Sequence, residues 1–104
     1  MEKIDEFDLL LYIYKETEIK NRVVNFTKIK HDYLRKNCSP ESILQASSYL
    51  DHMYDQGMLD PKWTKHNGKY SYCYFVDEDF LGFTQALYTF TQKKQISKDK
   101  TPQF

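Results

Sequence analysis

The chain is 104 residues long, 40% hydrophobic and 16% aromatic, with 15 Lys and Arg balanced by 15 Asp and Glu. Single domains peak at about 100–150 residues, so this length admits one domain, and the abundance of Phe and Tyr excludes a chain too polar to build a core. A formal net charge of zero excludes a uniformly basic coat but not a local basic patch, which the distribution of charge must decide.

No run approaches the ~20 apolar residues of a membrane span, and the opening Met-Glu-Lys-Ile-Asp-Glu lacks the basic-then-apolar pattern of a secretion signal. A soluble, cytoplasmic protein with no membrane partner is therefore expected. Apolar side chains at Ile4, Phe7, Leu10, Leu11 and Tyr14, widened by Leu9 and Ile13, predict a first helix from Ile4 to about Lys15. Glu2, Asp5, Glu6 and Asp8 suit the positive end of its dipole. Thr17 to Arg22 reads as a polar connection, and Val23, Val24 and Phe26 as a very short strand. Thr27 is then the expected N-cap of a second helix running to about Lys36, with Ile29, Tyr33 and Leu34 inward and Lys28, Lys30, Arg35 and Lys36 outward.

Asn37 and Cys38 break the pattern, and Ser39 as N-cap, Pro40 at the first helical position and Glu41 in the first turn open a third helix. Its expected core face is Ile43, Ala46, Ser47, Leu50, Met53 and Tyr54, with Gly57 as a left-handed cap. From Lys62 the period becomes two, and Asn67-Gly68 predicts a tight hairpin pairing His66 with Lys69, Lys65 with Tyr70 and Trp63 with Tyr72. Trp63, Tyr70, Tyr72 and Tyr74 are expected to lay one face of this ribbon on the core, the alternative being a stacking platform for single-stranded nucleic acid. Asp77, Glu78 and Asp79 cap a last helix whose Phe80, Phe83, Leu87 and Phe90 form a stripe, widened by Leu81 and Tyr88, that ends near Lys93 and Lys94. Residues 95–104 are expected to form a flexible tail.

The order helix, short strand, helix, helix, hairpin, helix resembles that of the winged helix-turn-helix superfamily, most clearly from Ser39 to Val76. Within it, Tyr49-Leu50-Asp51-His52-Met53-Tyr54-Asp55-Gln56-Gly57-Met58-Leu59 is similar to the end of a recognition helix leading into a first wing strand. The resemblance covers about residues 4 to 94. It implies an α+β, mostly α fold: a winged helix-turn-helix domain over residues 1–94, including an added C-terminal dimerisation helix at 77–94. Small dimeric bacterial, plasmid and viral repressors of this superfamily share this length and added helix. Similarity to them implies a transcriptional repressor or regulator that binds double-stranded DNA sequence-specifically as a homodimer, joined through the first and last helices.

With Ile43 and Leu50 inward, about 100° per residue puts Glu41, Gln45, Ser48 and His52 on the outer face, with Ser42 and Tyr49 beside them and Ser39 at the helix start. Gln45 has the donor and acceptor to read an adenine bidentately. Phosphate contacts are expected from Lys28 and Lys30, with Arg35 and Lys36, and from the wing tip through Lys65, His66, Asn67 and Lys69. Residues 17–36 carry a net +4 and residues 62–76 a net +3, whereas residues 37–61 hold four acids and no Lys or Arg. That acidic helix motivates a competing expectation, a winged-helix protein–protein interaction module without DNA binding.

No catalytic constellation is expected. His31, His52 and His66 are scattered over three elements, and no metal-ligand spacing, Gly-rich phosphate loop or nucleophile elbow is present. Cys38 and Cys73, 35 residues apart, read as two free thiols rather than a disulfide or a metal sensor. No enzyme activity, cofactor or metal is expected.

Overall fold

A computed structural model describes the chain over residues 4–100. It is an α+β structure of helices and a single two-stranded antiparallel hairpin, as counted among the described residues. Helix α1, Glu6–Tyr14, begins after Asp5, carries Glu6 and Asp8 in its first turn, and buries Leu9, Leu10, Ile13 and Tyr14. Its α-helical part ends at Tyr14, beside the expected Lys15, but the helical path runs on. The backbone widens into a π-helical turn, Lys15–Ile19, and stops before Asn21, which takes a positive φ of 54°. The polar side chains expected in a connection are tolerated here because they find partners: Thr17 Oγ1 donates to the Ile13 carbonyl at 2.8 Å, and buried Glu16 is ringed by cations.

The expected strand at Val23–Phe26 shrinks to one bridge, between Asn25 and Cys73, flanked by the Tyr74 amide donating to the Val24 carbonyl at 2.8 Å. Phe26 already belongs to α2, Phe26–Lys28, whose N-cap is Asn25 and not Thr27. The Asn25 side chain accepts the Lys28 amide at 2.8 Å, satisfying a donor that the first helical turn would otherwise leave open. The helical path continues as a π-type turn, Ile29–Leu34, then a 3-10 turn, Arg35–Asn37. At their junction Arg35 takes a φ of +47°, a backbone conformation that L-residues rarely adopt.

Helix α3, Pro40–Asp55, has the ends expected of it. Ser39 Oγ accepts the Ser42 amide at 3.1 Å, and Gly57 at φ +75° lets the Met58 amide reach the Met53 carbonyl at 2.8 Å and its own amide reach Tyr54 at 3.0 Å, a double-bonded helix stop. Its buried face is Ala46, Leu50 and Met53, with Ile43 and Tyr49 packed beside them. Tyr54, expected inward, is exposed, and Tyr49, expected outward, is half-buried, so the core face is rotated toward α1.

Strands β1, Lys62–His66, and β2, Lys69–Cys73, pair in the expected register around Asn67 and Gly68, both at positive φ. Beyond them Leu59 bridges Val76, and the Asp60 amide donates to the Phe75 carbonyl at 2.7 Å, which ties the hairpin base to the core. Asp77 caps a 3-10 turn, Glu78–Phe80, that leads into α4, Leu81–Lys100, so the last helix outruns its expected end near Lys94. Of the expected tail, residues 101–104 lie outside the described residues. Helix α4 packs on α1, with Tyr14 and Tyr88 ring centroids 5.4 Å apart and Thr84 fully buried. No helix among the described residues is long and apolar enough to cross a membrane.

Candidate nucleic-acid interface

The outer face of α3 divides in two. Glu41, Leu44, Gln45, Ser48 and His52 are exposed and Tyr49 is half-buried, and Tyr49 and His52 lie on the flank that meets the start of α1. The Tyr49 hydroxyl donates to the Ile4 carbonyl at 3.2 Å, and His52 Nδ1 lies 2.6 Å from Glu6 Oε2. These two side chains are thus engaged within the chain, which an angular projection of the helix alone does not reveal. Ser39 and Ser42 are also occupied locally: the Ser39 hydroxyl accepts the cap amide and donates to Ser42 Oγ at 3.1 Å. The unforeseen member of the exposed group is Leu44, whose helical angle relative to Ile43 and Leu50 already points it away from the core.

The basic residues before α3 separate in the same way. Lys28 Nζ sits 2.8 Å from Asp32 Oδ2 and 3.3 Å from Glu16 Oε1, while Lys20 Nζ is 3.3 Å from Glu16 Oε2. Glu16 is only 4% exposed, and its Oε1 has ionic neighbours but no aligned hydrogen bond. Moving Lys28 out to a phosphate would take from buried Glu16 one of its three cationic neighbours, leaving Lys20 at 3.3 Å and Arg22 at 3.9 Å, and would break the contact with Asp32, so Lys28 is engaged within the chain. Its hydrogen bond to Asp32 raises the Lys28 pKa above its ordinary value and lowers that of Asp32. Burial, then the nearby Asp32 carboxylate, holds the Tyr12 hydroxyl far above its ordinary range, and burial pushes Tyr33 up to about 12. Both stay neutral donors at physiological pH.

Lys30, His31, Arg35, Cys38 and Ile43 line a cleft of about 380 Å³ where the second helical segment meets the start of α3. The Lys30 ammonium lies 5.7 Å from the centre of the Phe26 ring. This cleft brings Lys30 and Arg35 to Ile43 in the N-terminal half of α3. The Lys36 side chain lies outside the described residues.

At the hairpin, Lys65, His66, Asn67 and Lys69 are exposed at or near the tip. The ribbon is two-faced, but with the opposite face outward from the one expected. Cys73, paired with Lys62, is buried, and Thr64 and Ser71 are half-buried, so this parity faces the core. The other parity holds Trp63, Lys65, Tyr70 and Tyr72, and there Trp63 is 70%, Tyr70 67% and Tyr72 41% exposed. Only Tyr74, at the base, packs against the core; burial, then Tyr72 and Asp51 of α3, raise its pKa. A signal for this inversion existed in the sequence: if the small apolar Cys73 is inward, strict alternation sends Trp63 outward.

Helix α4 shows a similar reversal. Phe80, Leu81, Thr84 and Tyr88 face the core, while Phe83, Ala86 and Phe90 are exposed. The expected stripe is therefore split between two sides of the helix. On α1 most of the apolar surface is consumed within the chain, leaving Phe7 as its exposed large apolar residue. Cys38 is an exposed free thiol and Cys73 a buried one, and no group of three or more His, Cys, Asp or Glu is placed to hold a metal among the described residues. Comparison of the chain with protein-family models, with curated proteins and with solved structures finds no match.

Proposed function

We propose that this chain is a winged helix-turn-helix protein that binds double-stranded DNA as a homodimer and regulates transcription. The observation that carries the reading is one of succession. A helix capped at both ends, with Gln45 and Ser48 outward, is followed within a few residues by a two-residue-turn hairpin bearing Lys62, Lys65 and Lys69 and no acid. A helix of this kind fits a major groove, and a basic ribbon beside it suits the flanking backbone. In this reading Gln45 and Ser48 contact base edges, Leu44 meets a thymine methyl, and Glu41 accepts from a cytosine amine. Lys30, Arg35, Lys65 and Lys69 contact phosphates. Lys28, Tyr49 and His52 are occupied by in-chain partners and have no role in it.

The exposed Phe83 and Phe90 of α4 support a dimer built on that helix, with a smaller share for α1 than the sequence implies. A two-fold dimer would place half-sites about 34–36 Å apart. Anisotropy titration of genomic fragments at two salt concentrations tests the reading. Lys65→Ala and Lys69→Ala should each weaken binding to every sequence and flatten the log–log salt slope by about 0.9. Gln45→Ala should relax preference at one base position. Binding that never rises above nonspecific levels for any fragment at low salt would sink the proposal.

One feature favours a second reading, a protein–protein interaction module. Helix α3 carries Glu41, Asp51 and Asp55 with no Lys or Arg, and exposes Leu44 and Tyr54. Pull-down from the native cell with and without nuclease separates the two: retention of protein that nuclease treatment leaves intact supports the module.

A further inference from the structure

We infer that the outward face of the hairpin is a stacking platform for the unpaired bases of single-stranded DNA. Trp63 and Tyr72 lie directly opposite each other across the two strands, with ring centroids 5.4 Å apart, and Tyr72 meets Tyr74 edge-on at 5.6 Å. Tyr70 continues the row toward the tip, with the Lys65 ammonium 5.7 Å from its ring centre. Three large rings held in one row, exposed among the described residues, form the kind of apolar patch that marks a binding surface.

Two observations select the occupant. The first is charge: Lys62–Cys73 contains Lys62, Lys65 and Lys69 and no Asp or Glu, which complements a phosphate backbone and not an acidic-surface-seeking cationic partner. The second is spacing. The exposed Trp63 and Tyr72 rings have centroids 5.4 Å apart and are tilted by 60°, a separation wider than the roughly 3.4 Å rise per nucleotide of a duplex strand. Successive rings at that interval accept bases only from a strand already unstacked and splayed. Stacked duplex bases present edges and not faces, so this row is distinct in chemistry from the groove contacts proposed for α3. The choice of DNA over RNA rests on the duplex-DNA reading; the stacking itself does not.

Trp63 is the sole tryptophan, so its fluorescence reports on the platform directly. The full chain is titrated with a twelve-residue oligothymidylate, an abasic strand of the same length, the matching oligouridylate and a blunt duplex. Oligothymidylate should quench Trp63 and bind more tightly than the abasic strand. By anisotropy of the labelled strand, Trp63→Ala and Tyr72→Ala should each weaken binding about ten-fold, while Trp63→Phe keeps most of it. Both side chains are exposed, and circular dichroism checks that the variants fold. Equal binding of the abasic strand, absence of quenching, or unchanged affinity in both alanine variants would overturn the inference, and tighter binding of oligouridylate would overturn the choice of DNA. Duplex binding without single-strand binding defeats this inference and leaves the proposed function standing; the reverse result does the opposite.

Discussion

Helix α3 and the hairpin that follows it are neighbours in sequence and differ in almost every physical respect. Helix α3 carries three carboxylates and no Lys or Arg, and it gives Ala46, Leu50 and Met53 to the core. The hairpin Lys62–Cys73 carries three Lys and no acid, and gives the core only Cys73. One element is held by what it buries, at about 25 cal/mol per Å² of apolar surface removed from water, and the other by its ladder and its turn. Large aromatic side chains therefore do not mark the same thing in both places. On α3 the half-buried Tyr49 is packing, whereas on the hairpin Trp63 is surface.

The largest expected effect tests that difference directly. Leu50→Ala should lower unfolding free energy by about 2–5 kcal/mol in urea titration, while Trp63→Ala stays within about 0.5 kcal/mol of the parent. Comparable losses from the two would mean that the Trp63 ring is covered in solution, and the contrast would fail. Next come the two glycines that bound the comparison. Gly57 and Gly68 sit at φ +75° and +79°, and an added Cβ would meet nothing within 4 Å at either, so the cost of alanine is conformational alone. Gly57→Ala should reduce global stability by about 1–2 kcal/mol. Gly68→Ala carries similar strain but should spend it on fraying the ribbon: amide exchange across Lys62–Cys73 speeds up while the urea midpoint moves less.

Ser39→Ala removes the acceptor of the Ser42 amide and should cost about 1 kcal/mol, again felt globally because α3 is part of the core. The smallest effect concerns pH. Hydrogen bonding to Lys28 holds the Asp32 carboxyl below its ordinary 3.8, so its contribution is present above about that pH and is lost as pH falls through the lowered folded value. Lys28, raised above 10.5, contributes fully below that value and loses its contribution as pH rises through the folded one. Asp32→Asn should flatten the acid limb of a stability–pH profile. An unchanged acid limb would show that this exposed pair is screened by solvent.

The sequence by itself determined the features whose causes are local. Ser39-Pro40 starts α3, Gly57 stops it, Asn67-Gly68 sets the hairpin register, and Asp77 caps the approach to α4; each depends on a few adjacent residues and on φ preferences that no distant contact changes. Tertiary structure alone decided which face of each element is buried. A period of two fixes that Trp63 and Cys73 lie on opposite sides but not which side meets the core, and the bridges from Asn25 and Leu59 choose Cys73. The same holds for α4, where Thr84 is inside and Phe83 and Phe90 outside, and for α1, whose extra turn is held by Lys28 from the next element reaching Glu16. Of the residues expected to meet DNA, Glu41, Gln45, Ser48, Lys65 and Lys69 remain exposed, while Lys28, Tyr49 and His52 are claimed by partners 12, 45 and 46 residues away in sequence. Contacts of that range leave no trace in local periodicity, because they depend on how whole elements pack.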